Sequence, residues 1–429
     1  MKKISKLSII SLLLIICLVF LSACLNAFPN SDPDPDSNEP VPTNPSGDYY
    51  IKDPEDQDYS YSAFGQVVNR VIKGCVEIKV TSSFSSSQGS GFIIGKDNNQ
   101  DYPIIITNYH VVNQKISSPS AAIQIKLGDK ASYFNNNVKV IGYDADMDIA
   151  VLILEKSIQD IDDRILTWGN SRAVYKGQEV FAIGNSLGYG TSLTQGVVSI
   201  TEEKLEISDE DTNKTIKKYV IRHSAAIISG NSGGPLFNLK GEVIGVNSYG
   251  YLGKVIDGNK NHTGDYYSLT NMCLAIPSNL ARAICDYVLD NYQNTAVDAS
   301  TARKVNETLG KNFINCLENI EASLDSQDNN VLRVNNKLDF LGLQTGDLII
   351  KINGWELNNL FFDSTQICTP SILLELCYYY STGGSGDALT ITVKRKTSGE
   401  TAIEEINTDY RLKLNLPDWL DDIQNGWID

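Results

Sequence analysis

Histidine is scarce in this 429-residue chain, with only His110, His223 and His262 present. Chemistry that needs an imidazole base can draw on these positions alone. Positive charge is also short: 36 Lys and Arg stand against 52 Asp and Glu, for a net charge of -16. Such a surface repels phosphates and argues against a nucleic-acid partner. Cysteine is sparse for the length, eight in all, with Cys17 and Cys24 in the N-terminal segment. The others are Cys75, Cys273, Cys285, Cys316, Cys368 and Cys377. Their even count permits disulfides outside the cytoplasm, but a chain this large is no disulfide-stapled scaffold, and buried free thiols fit equally well. No Walker loop, metal motif or internal repeat is found, so neither a cofactor nor a metal is expected.

What the chain does have begins at its N-terminus. "MKKISK" is a basic segment, "LSIISLLLIICLVF" an apolar one, and "LSAC" closes it, the layout of a secretory signal over residues 1–23. The apolar run is short for a membrane span, although an uncleaved anchor would also use it. "LSAC" resembles the lipobox of bacterial lipoproteins, which implies that Cys24 becomes the first mature residue and carries lipid. Two acyl chains there would anchor the protein to the membrane on the extracytoplasmic side. Residues 25–58 hold seven of the thirteen prolines, nine acids and one Lys. That composition cannot bury a core, so 24–58 is expected to be a disordered tether.

From 59 to 292 short apolar runs alternate with Gly, Asn and Asp breaks, as in "CVEIKV", "YPIIITNYHVV", "DIAVLIL", "EVFAIGN" and "GEVIGVNSYG". This predicts a mainly β domain of antiparallel barrels or sandwiches, closed by a helix that opens at Pro277-Ser278, with Ser278 as its cap. Residues 293–303 are expected to be a linker. Residues 304–412 predict a smaller α+β domain with a helix in "PSILLELCYYY", and 413–429 a tail.

The stretch "SGNSGGPLF" (229–237) sets Ser232 among Gly230, Gly233 and Gly234, which lets a substrate backbone come very close. A Ser hydroxyl needs a base to take its proton and a third group to hold that base. His110 ends an apolar strand in "ITNYHVV". His223 lies inside a strand, and His262 in a polar stretch suited to plain solvation. Asp148, just ahead of the buried run "IAVLIL", is the best orienting acid. Asp144, Asp146, Asp148 and Glu155 also match four positions of a calcium loop, but Ile149 stands where that loop needs Gly.

"TNYHVV", "DIAVL" and "GNSGGPL", in that order, resemble the three motifs of the HtrA/DegP-type serine proteases of chymotrypsin-like fold. "GSGFII", "TQGVVSI" and "LAIPSN" extend the likeness over roughly 65–290. The resemblance implies a double β-barrel in which Ser232 is the nucleophile, His110 the general base and Asp148 its orienting partner, with the backbone N–H groups of Gly230 and Ser232 as oxyanion hole. It further implies an S1 pocket lined by Ile227 and Met272 for aliphatic side chains. The chain departs from the pattern there: His223-Ser224 replaces the usual Thr-Asp, Ile228 a polar residue, and Met272-Cys273-Leu274 the usual Ile/Val-Gly-Phe.

"DFLGLQTGDLIIKINGWEL" resembles the core of PDZ domains, with Gly342, Gly346, Asp347 and Gly354 at turns. This implies binding of C-terminal peptides, with a carboxylate loop near Leu309-Gly310 and a helix from Leu373 to Tyr380 beside the groove. The family commonly forms trimers through N-terminal aromatic residues, for which Tyr59, Tyr61 and Phe64 are the candidates. The expectation is a membrane-anchored serine endoprotease acting on unfolded or damaged proteins. A peptide-binding holdase on a protease scaffold and a processing enzyme for one partner stand as alternatives.

Overall fold

The structure, a computed structural model, describes residues 62–83, 85–135, 137–188, 190–209, 214–256, 262–294, 303–304, 316, 319–324, 330–357, 369–381, 384–397 and 400–417. The signal segment, Cys24, the tether, Tyr59, Tyr61, Leu309-Gly310, Cys368 and most of the expected linker and tail lie outside these residues.

Helix α1 (Ala63–Val71) starts at Ser62, whose hydroxyl accepts the Gly65 N–H at 3.1 Å. Phe64, expected at a trimer contact, meets the Phe181 ring edge-on within the chain, with centroids 5.1 Å apart, and is only half-buried. An aromatic next to an apolar barrel end is partly covered by that barrel.

Strands β1 (Cys75–Thr81), β2 (Ser86–Lys96), β3 (Pro103–Thr107), β4 (Ala122–Leu127), β5 (Tyr133–Asn135), β6 (Val138–Asp144) and β7 (Ile149–Leu154) form the first sheet. Together with β14 (Arg303–Lys304) it runs β14-β6-β7-β3-β2-β1-β4-β5. Burial alternates along β4, so Ile123, Ile125 and Leu127 point inward while Gln124 and Lys126 do not. β3 and β7 are buried at every residue, as their unbroken apolar sequences require.

The second sheet closes into a barrel, β10-β13-β12-β11-β8-β9. Its strands are β8 (Glu179–Asn185), β9 (Thr191–Asp209), β10 (Lys214–His223), β11 (Pro235–Asn238), β12 (Val243–Ile256) and β13 (His262–Pro277). Two barrel-like sheets in this order make a chymotrypsin-like fold. His262, expected in a polar loop, opens β13 and pairs with Ile256.

Helix α2 (Tyr109–Ser117) differs from the expected strand end at His110, because β3 stops at Thr107 and Asn108 turns the chain. Helix α3 (Ser278–Asn294) follows β13 as expected, but the Ser278 hydroxyl donates to Gly169 O at 2.7 Å instead of capping its own helix.

The C-terminal sheet is ordered β15-β16-β17-β20-β21-β19, with β18 beside β17. It comprises β15 (Ile320–Leu324), β16 (Asn330–Val334), β17 (Leu348–Ile352), β18 (Trp355–Glu356), β19 (Tyr380–Ser381), β20 (Ala388–Thr397) and β21 (Glu400–Leu412). Helix α4 (Ser371–Leu376), expected to border an open groove, is buried at all its residues, and so are Cys377 to Tyr380. Its Ile and Leu side chains join the apolar core while Glu375 meets Arg172, so both sides are covered. One apolar cluster runs from Val71 to Tyr410, so the C-terminal sheet shares its core with the barrels. Cys75, Cys273, Cys285, Cys316 and Cys377 are buried free thiols.

Candidate active site

The sequence-selected residues converge where the two barrels meet. Asp148 follows the tight turn after β6, where Asp144 Oδ1 accepts the N–H groups of Asp146 and Met147, each at 2.9 Å. Asp148 itself adopts φ of +61°, a left-handed conformation that Asp tolerates better than most residues. It is buried, and its carboxylate faces His110: Nδ1 lies 2.9 Å from Oδ2 and 3.0 Å from Oδ1. The backbone N–H of His110 donates to Oδ1 at 2.9 Å, and Asn108 Nδ2 donates to the Asp148 carbonyl at 2.9 Å. The turn, the helix start and the side-chain pair therefore form one unit.

Burial alone would push the Asp148 carboxyl up. His110, then Lys218 and Ser248, pull it down, and the net position is below the usual carboxylate range. An ionised Asp148 requires a donor on Nδ1, which places the imidazole lone pair on Nε2. The His110 side chain is 38% exposed while that of Asp148 is 2%, so the open edge of the ring faces outward.

Ser232 sits in the loop before β11. Its hydroxyl donates to Ser248 O at 3.1 Å, and the Ser248 hydroxyl donates to Asp148 Oδ2 at 2.6 Å. Ser248, on β12 in "VNSYG", thus joins nucleophile and acid. Sequence reading missed it, since a Ser inside a strand carries no local signal of a partner 100 residues away.

Ile228 O accepts the Asn231 N–H at 3.0 Å, and Gly230 has φ of +99°, which makes residues 228–231 a type II turn. Among the described residues the N–H groups of Gly230 and Ser232 meet no acceptor. β2 grips the other side of this loop: the Ser90 hydroxyl donates to Gly230 O at 2.7 Å and its N–H to Ser232 O at 2.8 Å. Gly233 has φ of +85°, and a Cβ there would come within 2.3 Å of Ser90 O. Only glycine fits that approach.

The expected S1 residues divide. Ile227 is buried within the second barrel's apolar cluster, and its N–H donates to Cys273 Sγ at 3.2 Å. Met272 beside it is half-buried. His223 is buried, with neither ring nitrogen hydrogen-bonded among the described residues, and burial pushes it down to about 3. The acids of the calcium-like pattern have separate partners: Asp144 holds its own turn, Asp148 faces His110, and Glu155 pairs with Lys139.

The sequence family described as "Trypsin-like peptidase domain" matches residues 89–246. A "Probable periplasmic serine endoprotease DegP-like" of Marinomonas sp. is 32% identical over 272 residues, 63% of this chain and 49% of that protein. "Serine protease Do-like HtrB" of Bacillus subtilis is 29% identical over 320 residues, 73% of this chain and 60% of its own. "Serine protease Do-like HtrA" of Lactobacillus helveticus is 36% identical over 199 residues, 45% of this chain and 41% of its own. The chain spans about half the length of these relatives. Residues 89–246 thus match a trypsin-like peptidase domain, and the chain is similar to the HtrA/DegP-type serine proteases.

Proposed function

We propose that the protein is an extracytoplasmic serine endoprotease that hydrolyses peptide bonds in unfolded or damaged proteins. The observation that carries the reading is the open relay His110–Asp148–Ser248–Ser232, linked by hydrogen bonds of 2.6 to 3.1 Å in which the Ser232 hydroxyl rests on the Ser248 carbonyl. His110 Nε2 takes the Ser232 hydroxyl proton as Oγ attacks the scissile carbonyl, and later returns it to the leaving amine. Asp148 holds the ring and stabilises its cation. The N–H groups of Gly230 and Ser232 stabilise the developing oxyanion. No charged side chain stands in "AAIISG", which supports cleavage after aliphatic residues, with Ile227 and Met272 at the pocket.

The location follows from the N-terminal signal and from the relatives named periplasmic. Lipid on Cys24 would hold the protein at the membrane. The C-terminal sheet is read as a PDZ-like domain that takes C-terminal peptides. In its favour, the glycines of the "GLQTGDLIIKING" pattern, Gly342, Gly346 and Gly354, all have positive φ at turns. Trimer contacts would rest on Tyr59, Tyr61 and the half-buried Phe64.

Casein digestion by the purified protein and by Ser232→Ala tests the enzyme. The substitution should lower kcat by roughly 10⁶-fold. Equal digestion by both proteins, or none by either between about pH 6 and 9, refutes the proposal.

A further inference from the structure

The turn that presents Asp148 is held by more than its own residues. Asp144 Oδ1 is occupied by the N–H groups of Asp146 and Met147, which leaves Oδ2 facing the C-terminal segment. There the Tyr378 hydroxyl, reaching from the residues between α4 and β19, donates to Oδ2 at 2.7 Å. Tyr378 is 2% exposed and lies 234 residues from its partner. Its ring packs edge-on to Tyr287 of α3, with centroids 6.0 Å apart, so the hydroxyl cannot swing away without disturbing two elements.

Lys218 of β10 is buried to 3% exposure and lies close enough to Asp144, Asp146 and Asp148 to interact electrostatically with all three. Cys377, next to Tyr378, is a further titratable neighbour of Asp144 on the C-terminal side.

We propose that Tyr378 is a positioning residue for the His110–Asp148 pair, so that the C-terminal unit completes the active site of the barrels. The proposal rests on the protease reading for its consequence in catalysis. The Tyr378 hydroxyl fixes Asp144, and Asp144 fixes the 144–148 turn. That turn, together with Asn108 on the Asp148 carbonyl and the His110 N–H and Ser248 hydroxyl on its carboxylate, holds Asp148 at its left-handed φ of +61° with the carboxylate on His110 Nδ1. A left-handed non-glycine residue is kept only where its surroundings over-determine it. Without the hydroxyl the turn can relax, and a small displacement of the carboxylate loosens the imidazole that must move the proton.

The test compares Tyr378→Phe with Tyr379→Phe in the full chain. Tyr379 is an apt control, because its hydroxyl makes a bond of the same kind, 3.1 Å to Asp286 on α3, but touches nothing near His110. Tyr378→Phe should lower kcat on the order of tenfold with KM little changed. It should also weaken or move upfield the low-field NMR signal of the His110 Nδ1 proton, while Tyr379→Phe does neither. Asp144→Ser keeps a hydroxyl oxygen for the turn N–H groups but is too short to reach the Tyr378 hydroxyl, and should reproduce the spectral change. An unaltered signal in Tyr378→Phe and Asp144→Ser, or the same response in Tyr379→Phe, overturns the proposal. The NMR arm needs no turnover. Should the wild-type chain hydrolyse nothing, the protease reading falls while the signal still decides the role of Tyr378.

Discussion

His223 occupies the interior of the second barrel as a neutral imidazole. Burial lowers it to about 3, and Asn247 and Ala225, near the ring but outside hydrogen-bond geometry, oppose this only weakly. The folded pKa lies below the unfolded value of 6.5, so the unfolded chain binds the proton first as the medium is acidified. The associated stability is present above 6.5 and drains away toward 3. Between pH 7 and 5 this one residue should remove about 2 kcal/mol. Urea unfolding at the two pH values checks it: His223→Leu should lack that part of the loss, and an identical pH slope in both proteins would contradict the account.

At the scale of elements, the contact that matters most joins β2 of the first barrel to the loop before β11 of the second. The Ser90 hydroxyl donates to Gly230 O and also accepts the Asn185 N–H at 2.9 Å. Ser90→Ala leaves both backbone groups buried without that partner, at about 1–3 kcal/mol of stability. The Gly230 peptide would also lose the brace that aims it, and kcat should fall on the order of tenfold. Steady-state kinetics with denaturant unfolding separates the effects; unchanged kcat in a folded variant would show that the loop holds itself. Much of this level was legible beforehand. β1, β7, β8 and β12 follow from apolar patterns, and Gly233 from the need for close approach. The helix at His110 was not legible, because "YPIIITNYHVV" is apolar throughout and its break rests on Asn108 bonding to Asp148, a residue remote in sequence.

Across the whole molecule, the barrels and the C-terminal sheet are joined by a buried charge cluster. Arg172, in the turn Ser171–Ala173, places Nη2 2.9 Å from Glu375 Oε1. Ser371 and Thr369 donate hydroxyls to Glu202 of β9. One guanidinium thus serves two carboxylates. Burial pushes Glu375 up to about 7, Arg172 opposes this, and Glu202 adds to it. A carboxyl raised from 4.5 stabilises the fold fully below that value and loses the contribution as pH rises through 7. From pH 5 to 8 the loss should be about 2 kcal/mol. Glu375→Gln should flatten that slope, whereas Arg172→Met should cost about 3–5 kcal/mol by stranding the acids. Calorimetric unfolding at both pH values decides it, and a stable Arg172→Met protein would deny the cluster its role.

The sequence by itself determined the barrels, the order of the three motifs and the residues brought to one site. These depend on short-range pattern: period-two burial, glycine where φ turns positive, and a carboxylate at the mouth of a buried strand. Only the tertiary structure decided that Ser248 bridges Asp148 and Ser232, that Tyr378 grips Asp144, and that α4 is sealed against the barrels. Those contacts join residues up to 234 positions apart. Nothing local marks a strand serine or a buried tyrosine for such a partner. The partner is chosen by which surfaces the packed core brings together.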